Sequence, residues 1–164
     1  PEAQVRPMGR TAYGVRGITL REGDEVVAMD VIDRGGTMLT VTENGYGKRT
    51  PIEDYRVQSR GGVGLINIQT SERNGRVAGI AHVTDEDQLM LVTEQGKILR
   101  TAVSEIRETG RNAQGVRLMQ IEFAEGDRVV SVARLAVRDD EDAAFPGPDG
   151  PQGPPMAPEA GGSA

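Results

Sequence analysis

These 164 residues contain no cysteine and no tryptophan, and aromatic side chains make up only 3% of them. The lack of cysteine rules out disulfides and thiolate-ligated metals within the segment. The few aromatics, Tyr13, Tyr46, Tyr55, Phe123 and Phe145, follow no regular spacing. Proteins that grip single-stranded nucleic acid stack bases on aromatic platforms, so this distribution argues against that mode. Long apolar runs are missing too: none approaches the roughly 18 residues of a membrane span, and no signal peptide is recognised at the start. The expected setting is the cytoplasm, with no membrane partner. Helical periodicity is lacking as well, which points to an all-β chain.

Lysine is almost absent. Of the 19 basic residues, all but Lys48 and Lys97 are arginine. The planar guanidinium forms bidentate hydrogen bonds to phosphate and is weakly hydrated, so this bias suits phosphate recognition; a GC-rich genome would also enrich arginine. The formal net charge of -6 hides an uneven distribution. Asp139, Asp140, Glu141, Asp142, Asp149 and Glu159 stand in a C-terminal stretch without one base, and residues 1–138 are electroneutral.

What the chain does possess is an internal period of about 51 residues. Arg-x-x-x-Gly followed by an aliphatic residue occurs at Arg10/Gly14/Val15, Arg60/Gly64/Leu65 and Arg111/Gly115/Val116. Another arginine precedes each of those glycines by eight positions: Arg6, Arg56 and Arg107. Val41-Thr42-Glu43-Asn44-Gly45 returns as Val92-Thr93-Glu94-Gln95-Gly96, and residues 38–56 and 89–107 share seven identities in nineteen positions. A period of this length built from short strands indicates blades of a propeller-like array. Each unit reads as four strands. The first spans 15–20, 65–70 and 116–121, the second 26–32, 77–83 and 129–135, and the third 38–42 and 89–93. The fourth carries Arg49-Thr50 and Arg100-Thr101. Glycine-containing turns separate them, as tight hairpins require.

The third unit is expected to have only its first two strands. From Asp139 onward an acidic run gives way to Pro146, Pro148, Pro151, Pro154, Pro155 and Pro158 among glycines. Such composition buries too little apolar surface to offset chain entropy, so 139–164 reads as a disordered acidic Pro/Gly-rich tail after a β region at 1–138. Two and a half blades cannot close a ring, and Leu39, Val41, Met90 and Val92 need neighbouring sheets to cover them. Because the chain also enters the repeat part-way, it is expected to belong to something longer.

Catalytic patterns are weak. His82 lies in an apolar strand and reads as structural. Ser59, Ser71, Ser104 and Ser131 follow no nucleophile-elbow pattern, and Asp85-Glu86-Asp87 lacks metal-loop spacing. No catalytic residue, metal site or cofactor is expected within this segment. The basic residues are more informative. Arg6, Arg56 and Arg107 share one register, Arg10, Arg60 and Arg111 a second, Arg49 and Arg100 a third, while Arg16 matches Arg117. With Lys48 and Lys97 these form the candidate DNA-binding set. Equivalent positions in a blade array recur one blade apart, so a duplex along that rim meets fresh arginines at each step. Contacts of that kind fix affinity and position without reading sequence. The opposing structural reading has one recurring arginine, such as Arg10/Arg60/Arg111, paired with Asp54 or Glu105 to pin the blade turn.

Several stretches resemble the C-terminal domain of the DNA gyrase A protein: Asn44-Gly45-Tyr46-Gly47-Lys48-Arg49-Thr50, Tyr55 to Gly64, Thr70 to Gly75, and Val103-Ser104-Glu105-Ile106 leading into Gly110 to Val116. The resemblance covers essentially all of 1–138. It implies a six-bladed β-pinwheel, a propeller whose blades exchange a strand, of which this segment is roughly the last three. It further implies wrapping of double-stranded DNA around a basic perimeter. The remainder of the gyrase A protein and the ATP-hydrolysing gyrase B protein, in an A2B2 holoenzyme, then introduce negative supercoils. Mg2+ and ATP act elsewhere in that type II topoisomerase, as do the catalytic residues. The family's wrapping box, Gln-Arg-Arg-Gly-Gly-Lys-Gly, belongs to the first blade. Gln58 to Gly64 is similar to it, but Ser59 and Val63 replace two of its basic residues, so only Arg60 in its glycine-flanked turn is expected to reach phosphate. The equivalent domain of topoisomerase IV, and a propeller serving as a protein-interaction scaffold, stand as alternatives.

Overall fold

Alternating β-branched and aliphatic residues followed by a glycine turn generate the basic unit, a hairpin. The computed structural model describes residues 3, 5–32, 35–121 and 126–135. The expected disordered tail at 139–164 lies outside the described residues. Strand β1, Thr37–Thr42, turns through Glu43, Asn44 and Gly45 into β2, Tyr46–Pro51. Gly45 has φ 75°, and its N–H donates to the Thr42 carbonyl at 3.0 Å, the left-handed position a three-residue hairpin loop needs. The same device joins β4, Gln88–Thr93, to β5, Ile98–Ala102, through Gly96 at φ 84°. The remaining strands are β3 (Val77–Val83), β6 (Val116–Arg117) and β7 (Val129–Leu135).

All ladders between these strands are antiparallel, and they assemble two sheets. The first has the order β3-β1-β2-β6, the second β5-β4-β7. Each sheet is therefore drawn from successive repeats. The first takes a hairpin from one repeat, β3 from the next and β6 from the third; the second takes a hairpin from one repeat and β7 from the following one. A blade does not coincide with a sequence unit, which corrects the expectation of four consecutive strands per unit. The exchange of strands that the resemblance implies is what the pairing displays.

Between the sheets lies the core. Leu39, Val41, Ala81 and Val83 of the first sheet meet Leu89 and Leu91 of the second, sealed by Val103, Ile106, Ile121 and Val129. The need of Leu39 and Val41 for a covering sheet is thus met. Met90 and Val92, on the opposite face of the second sheet, are only half-buried, with no third sheet against them among the described residues.

Three expected strands are absent from the described sheets. Residues 15–20, 26–32 and 65–70 carry strand-like composition without strand ladders. The reason is partnership. Segment 26–32 corresponds to β3 and β7, which pair with hairpins about 40 residues upstream. No hairpin among the described residues stands in that relation to 26–32. The same holds for 65–70, the counterpart of β6, whose partner is β2. In 26–32 apolar side chains such as Met29 (90% exposed) and Val31 (75%) stay uncovered. Segments 15–20 and 65–70, by contrast, keep backbone bonds to later turns, Thr19 N–H to the Gly62 carbonyl and Gln69 N–H to the Ala113 carbonyl.

The join between β2 and β6 depends on glycine. Gly115, at φ 83°, passes so close that a Cβ there would stand 2.7 Å from the Gly47 carbonyl oxygen. Gly14 and Gly64, its counterparts, hold φ 80° and 81°. The glycine that ends the Arg-x-x-x-Gly turn therefore holds the same left-handed φ in all three repeats.

Candidate nucleic-acid interface

The candidate bases divide into two groups. Arg6, Arg10, Arg16, Arg56, Arg60, Arg100, Arg107 and Arg117 are exposed, as is Lys97, while Arg111 is half-buried. Lys48 and Arg49 are not available at the surface: Lys48 is 0% exposed and Arg49 7%. This corrects their placement on a binding rim.

Their burial has a common cause. Strand β2 runs beside residues 106–111 of the third repeat and fastens that segment with its side chains. Lys48 Nζ donates to the carbonyls of Gly110 and Arg111, each at 2.7 Å. Arg49 Nε donates to the Ile106 carbonyl at 2.7 Å, and its guanidinium also pairs with Asp85. Thr50 Oγ1 donates to the Thr109 carbonyl at 2.9 Å, and the Thr109 N–H returns a bond to the Arg49 carbonyl at 2.8 Å. The stapled segment holds Arg107 and Arg111. Lys48 and Arg49 thus act on the candidate surface indirectly, by fixing the chain that presents two other arginines.

Burying an ammonium without a carboxylate partner is costly. Burial first, then the nearby Arg111 charge, depresses the Lys48 pKa to about 8, with Asp54 opposing weakly. Neighbouring Tyr55 is shifted the other way, upward, chiefly by burial. Its hydroxyl donates to Asn67, whose Nδ2 donates to Thr40 Oγ1 at 2.7 Å, so the face of the first sheet around Lys48 is a closed polar cluster.

The turn-pinning reading fares differently from expectation. Arg111 Nη1 donates to the Ile66 carbonyl at 3.0 Å and its guanidinium stands 6.0 Å from the Tyr55 ring centre. Its partners are a carbonyl and a ring, whereas Glu105 instead accepts from Thr101. Arg60 sits in the Gln58–Gly64 turn, which is docked against the first repeat. Gly61 N–H donates to the Gly17 carbonyl, and Thr19 donates to Gly62 and Gly61 carbonyls, at 2.7 to 2.8 Å. Lys97 Nζ is 3.9 Å from Asp127, and Arg100 is bonded to Gln88. Among the described residues none of Arg6, Arg10, Arg16, Arg56, Arg60 or Arg107 is salt-bridged.

Arg73 escapes a search by repeat register, because no arginine stands at the equivalent place in the other units. It lies over the Tyr46 ring at 4.9 Å. His82 is buried and structural in its contacts: its N–H donates to Asp30 and its ring meets the Gly35 carbonyl at 2.7 Å.

Known proteins share this arrangement. The family described as DNA gyrase C-terminal domain, beta-propeller, matches residues 1–33, 37–84 and 87–136, in three blocks. The DNA gyrase A protein of Staphylococcus aureus (strain NCTC 8325 / PS 47) is 51% identical over 144 residues, covering 87% of this chain. The chain spans 16% of the length of that curated relative. Among solved structures, a DNA gyrase A C-terminal domain superposes with TM-score 0.73 at 31% identity, covering 80% of this chain and 44% of that one. The C-terminal domain of a DNA topoisomerase IV gives TM-score 0.73 at 26% identity, over 82% of this chain and 42% of that one. With three blocks matched along most of the chain and strands exchanged between its repeats, the chain belongs to the DNA gyrase C-terminal domain family of beta-propellers.

Proposed function

We propose that this chain is the part of a gyrase A protein that binds and wraps double-stranded DNA. The observation carrying this reading is the recurrence of exposed arginines free of ion pairs among the described residues. Arg6, Arg56 and Arg107 stand in one register and Arg10 and Arg60 in another, one repeat apart. Guanidiniums so repeated meet phosphates along a duplex without reading bases, and release counterions as they do. The segment would act with the rest of the gyrase A protein and with the gyrase B protein in a bacterial cytoplasmic A2B2 holoenzyme. There ATP and Mg2+ serve reactions carried out by other parts, and wrapped DNA is delivered for negative supercoiling.

The topoisomerase IV domain has the same TM-score, so fold similarity does not separate the two. The 51% identity to a gyrase A protein favours gyrase. Supercoiling by reconstituted holoenzyme, with and without this segment, tests the reading. Loss of negative supercoiling on its removal is expected; supercoiling at the intact rate without it refutes the proposal. A protein-interaction scaffold would in addition show DNA binding with little salt dependence.

A further inference from the structure

Tyr46 opens β2 at the edge where three repeats meet, and it is 3% exposed. Two guanidiniums from later repeats converge on it. Arg73 stands 4.9 Å from the ring centre and Arg117, in β6, stands 5.5 Å from it. Arg117 Nη2 also donates to Tyr46 Oη at 3.0 Å. These neighbours, Arg73 first and Arg117 second, hold the phenol below the ordinary tyrosine range. Both arginines are exposed, and neither is salt-bridged to a described carboxylate.

Their backbones are held as well. Asn74, fully buried, donates through Nδ2 to the carbonyls of Gln69 and Gln114 at 2.8 and 3.0 Å, locking the turn that carries Arg73 to the third repeat. Asn44 Nδ2 donates to the Arg73 carbonyl at 3.2 Å, tying the same turn to the β1–β2 hairpin. Two cations brought to one ring repel each other, and the ring's quadrupole offsets only part of that. A bound anion would neutralise the remainder. Planar guanidiniums stacked on an aromatic ring lose little freedom on binding, which suits them to phosphate oxygens.

We propose that Arg73 and Arg117, braced on Tyr46, form a seat for a backbone phosphate of duplex DNA. The proposal rests on the DNA-wrapping reading and adds to it a point of contact assembled from three repeats. In the second sheet Lys97 takes the place of Tyr46, so the seat belongs to the first sheet alone.

The test titrates a labelled linear duplex with this chain over a range of salt concentrations. Arg73→Ala with Arg117→Ala lowers affinity about tenfold per lost phosphate contact near 0.1 M salt and flattens the salt slope by about 0.9 per contact. Arg73→Lys with Arg117→Lys keeps both charges but loses stacking on the ring, and its affinity falls between the alanine pair and the parent chain. Parent-like affinity and slope in the alanine pair overturn the seat. Lysine variants that bind as well as the parent chain overturn the bracing by Tyr46. Absence of salt-dependent binding by the parent chain removes the DNA-wrapping reading itself, an outcome distinct from the other two.

Discussion

Lys48 stands in the first sheet where Leu99 stands in the second. Each pairs across its hairpin with the matching residue of the preceding strand, Lys48 with Thr40 and Leu99 with Leu91. The repeat thus keeps the backbone and changes the chemistry of one sheet face. In the second sheet that face holds Leu89, Leu91 and Leu99 and packs on the first sheet. Its counterpart in the first sheet holds Met38, Thr40 and Lys48, and covers itself with Tyr55, Asn67 and the carbonyls of 109–111.

Replacing Lys48 by methionine keeps the aliphatic stem but leaves the Gly110 and Arg111 carbonyls without their donor. A buried acceptor stripped of its partner costs roughly 1–3 kcal/mol, partly offset by relief of the buried charge. Urea unfolding of Lys48→Met is expected to show a net loss of about 1–2 kcal/mol. Stability equal to that of the parent chain would mean the staple holds nothing.

Lys48 also gives stability a pH dependence of unusual sign for lysine. Its folded pKa is about 8, below the unfolded value of about 10.4. Between those limits the unfolded chain binds more protons, so unfolding free energy rises with pH through the window. The neutral amine still has two N–H donors, one for each carbonyl. Urea unfolding at pH 8 and pH 10 should show the parent chain gaining stability relative to Lys48→Met, by about 2–3 kcal/mol at most. Referring both values to that variant cancels tyrosine titration, including the opposed shifts of Tyr46 and Tyr55. Parallel pH profiles for the two chains would refute the assignment.

Local chemistry made much of this legible in the sequence. The hairpin strands announce themselves by alternation and by Gly45 and Gly96, and segments 77–83 and 129–135 coincide with β3 and β7. What sequence could not convey was partnership. Segment 26–32 has the composition of β3 but no ladder, because pairing is set by strands in another repeat. Lys48 and Arg49 look like rim charges until residues 106–111, about sixty positions later, close over them. Arg73 stayed hidden for the opposite reason: a periodic search discards what does not recur, and its contact with Tyr46 crosses repeats.

The turn glycines are equivalent in conformation but not in surroundings. At Gly14 and Gly115 alike the left-handed φ alone penalises alanine by about 1–2 kcal/mol. At Gly115 the new Cβ would also meet the Gly47 carbonyl oxygen at 2.7 Å, while at Gly14 nothing lies within 4 Å. Gly115→Ala should therefore destabilise the chain distinctly more than Gly14→Ala, measured as the difference between their urea midpoints. Equal losses would show that β6 can shift away from β2 without cost.

Arg49 and Arg100 occupy one register in sequence and separate in function. Arg49 is buried, bonded to the Ile106 carbonyl and paired with Asp85. Arg100 is exposed and bonded to Gln88. Arg49→Ala removes a buried cation from both its partners, leaves the Ile106 carbonyl without that donor and loosens the segment holding Arg107 and Arg111. It should lower the unfolding midpoint, with a loss of about 2 kcal/mol, and weaken DNA binding only as a consequence. Arg100→Ala should leave the midpoint unchanged while flattening the salt dependence of duplex binding by about 0.9 in slope, the signature of one phosphate contact. Measuring both quantities for both variants distinguishes a staple from a contact. A fall in midpoint for Arg100→Ala, or a flattened slope with full stability for Arg49→Ala, would reverse the assignments.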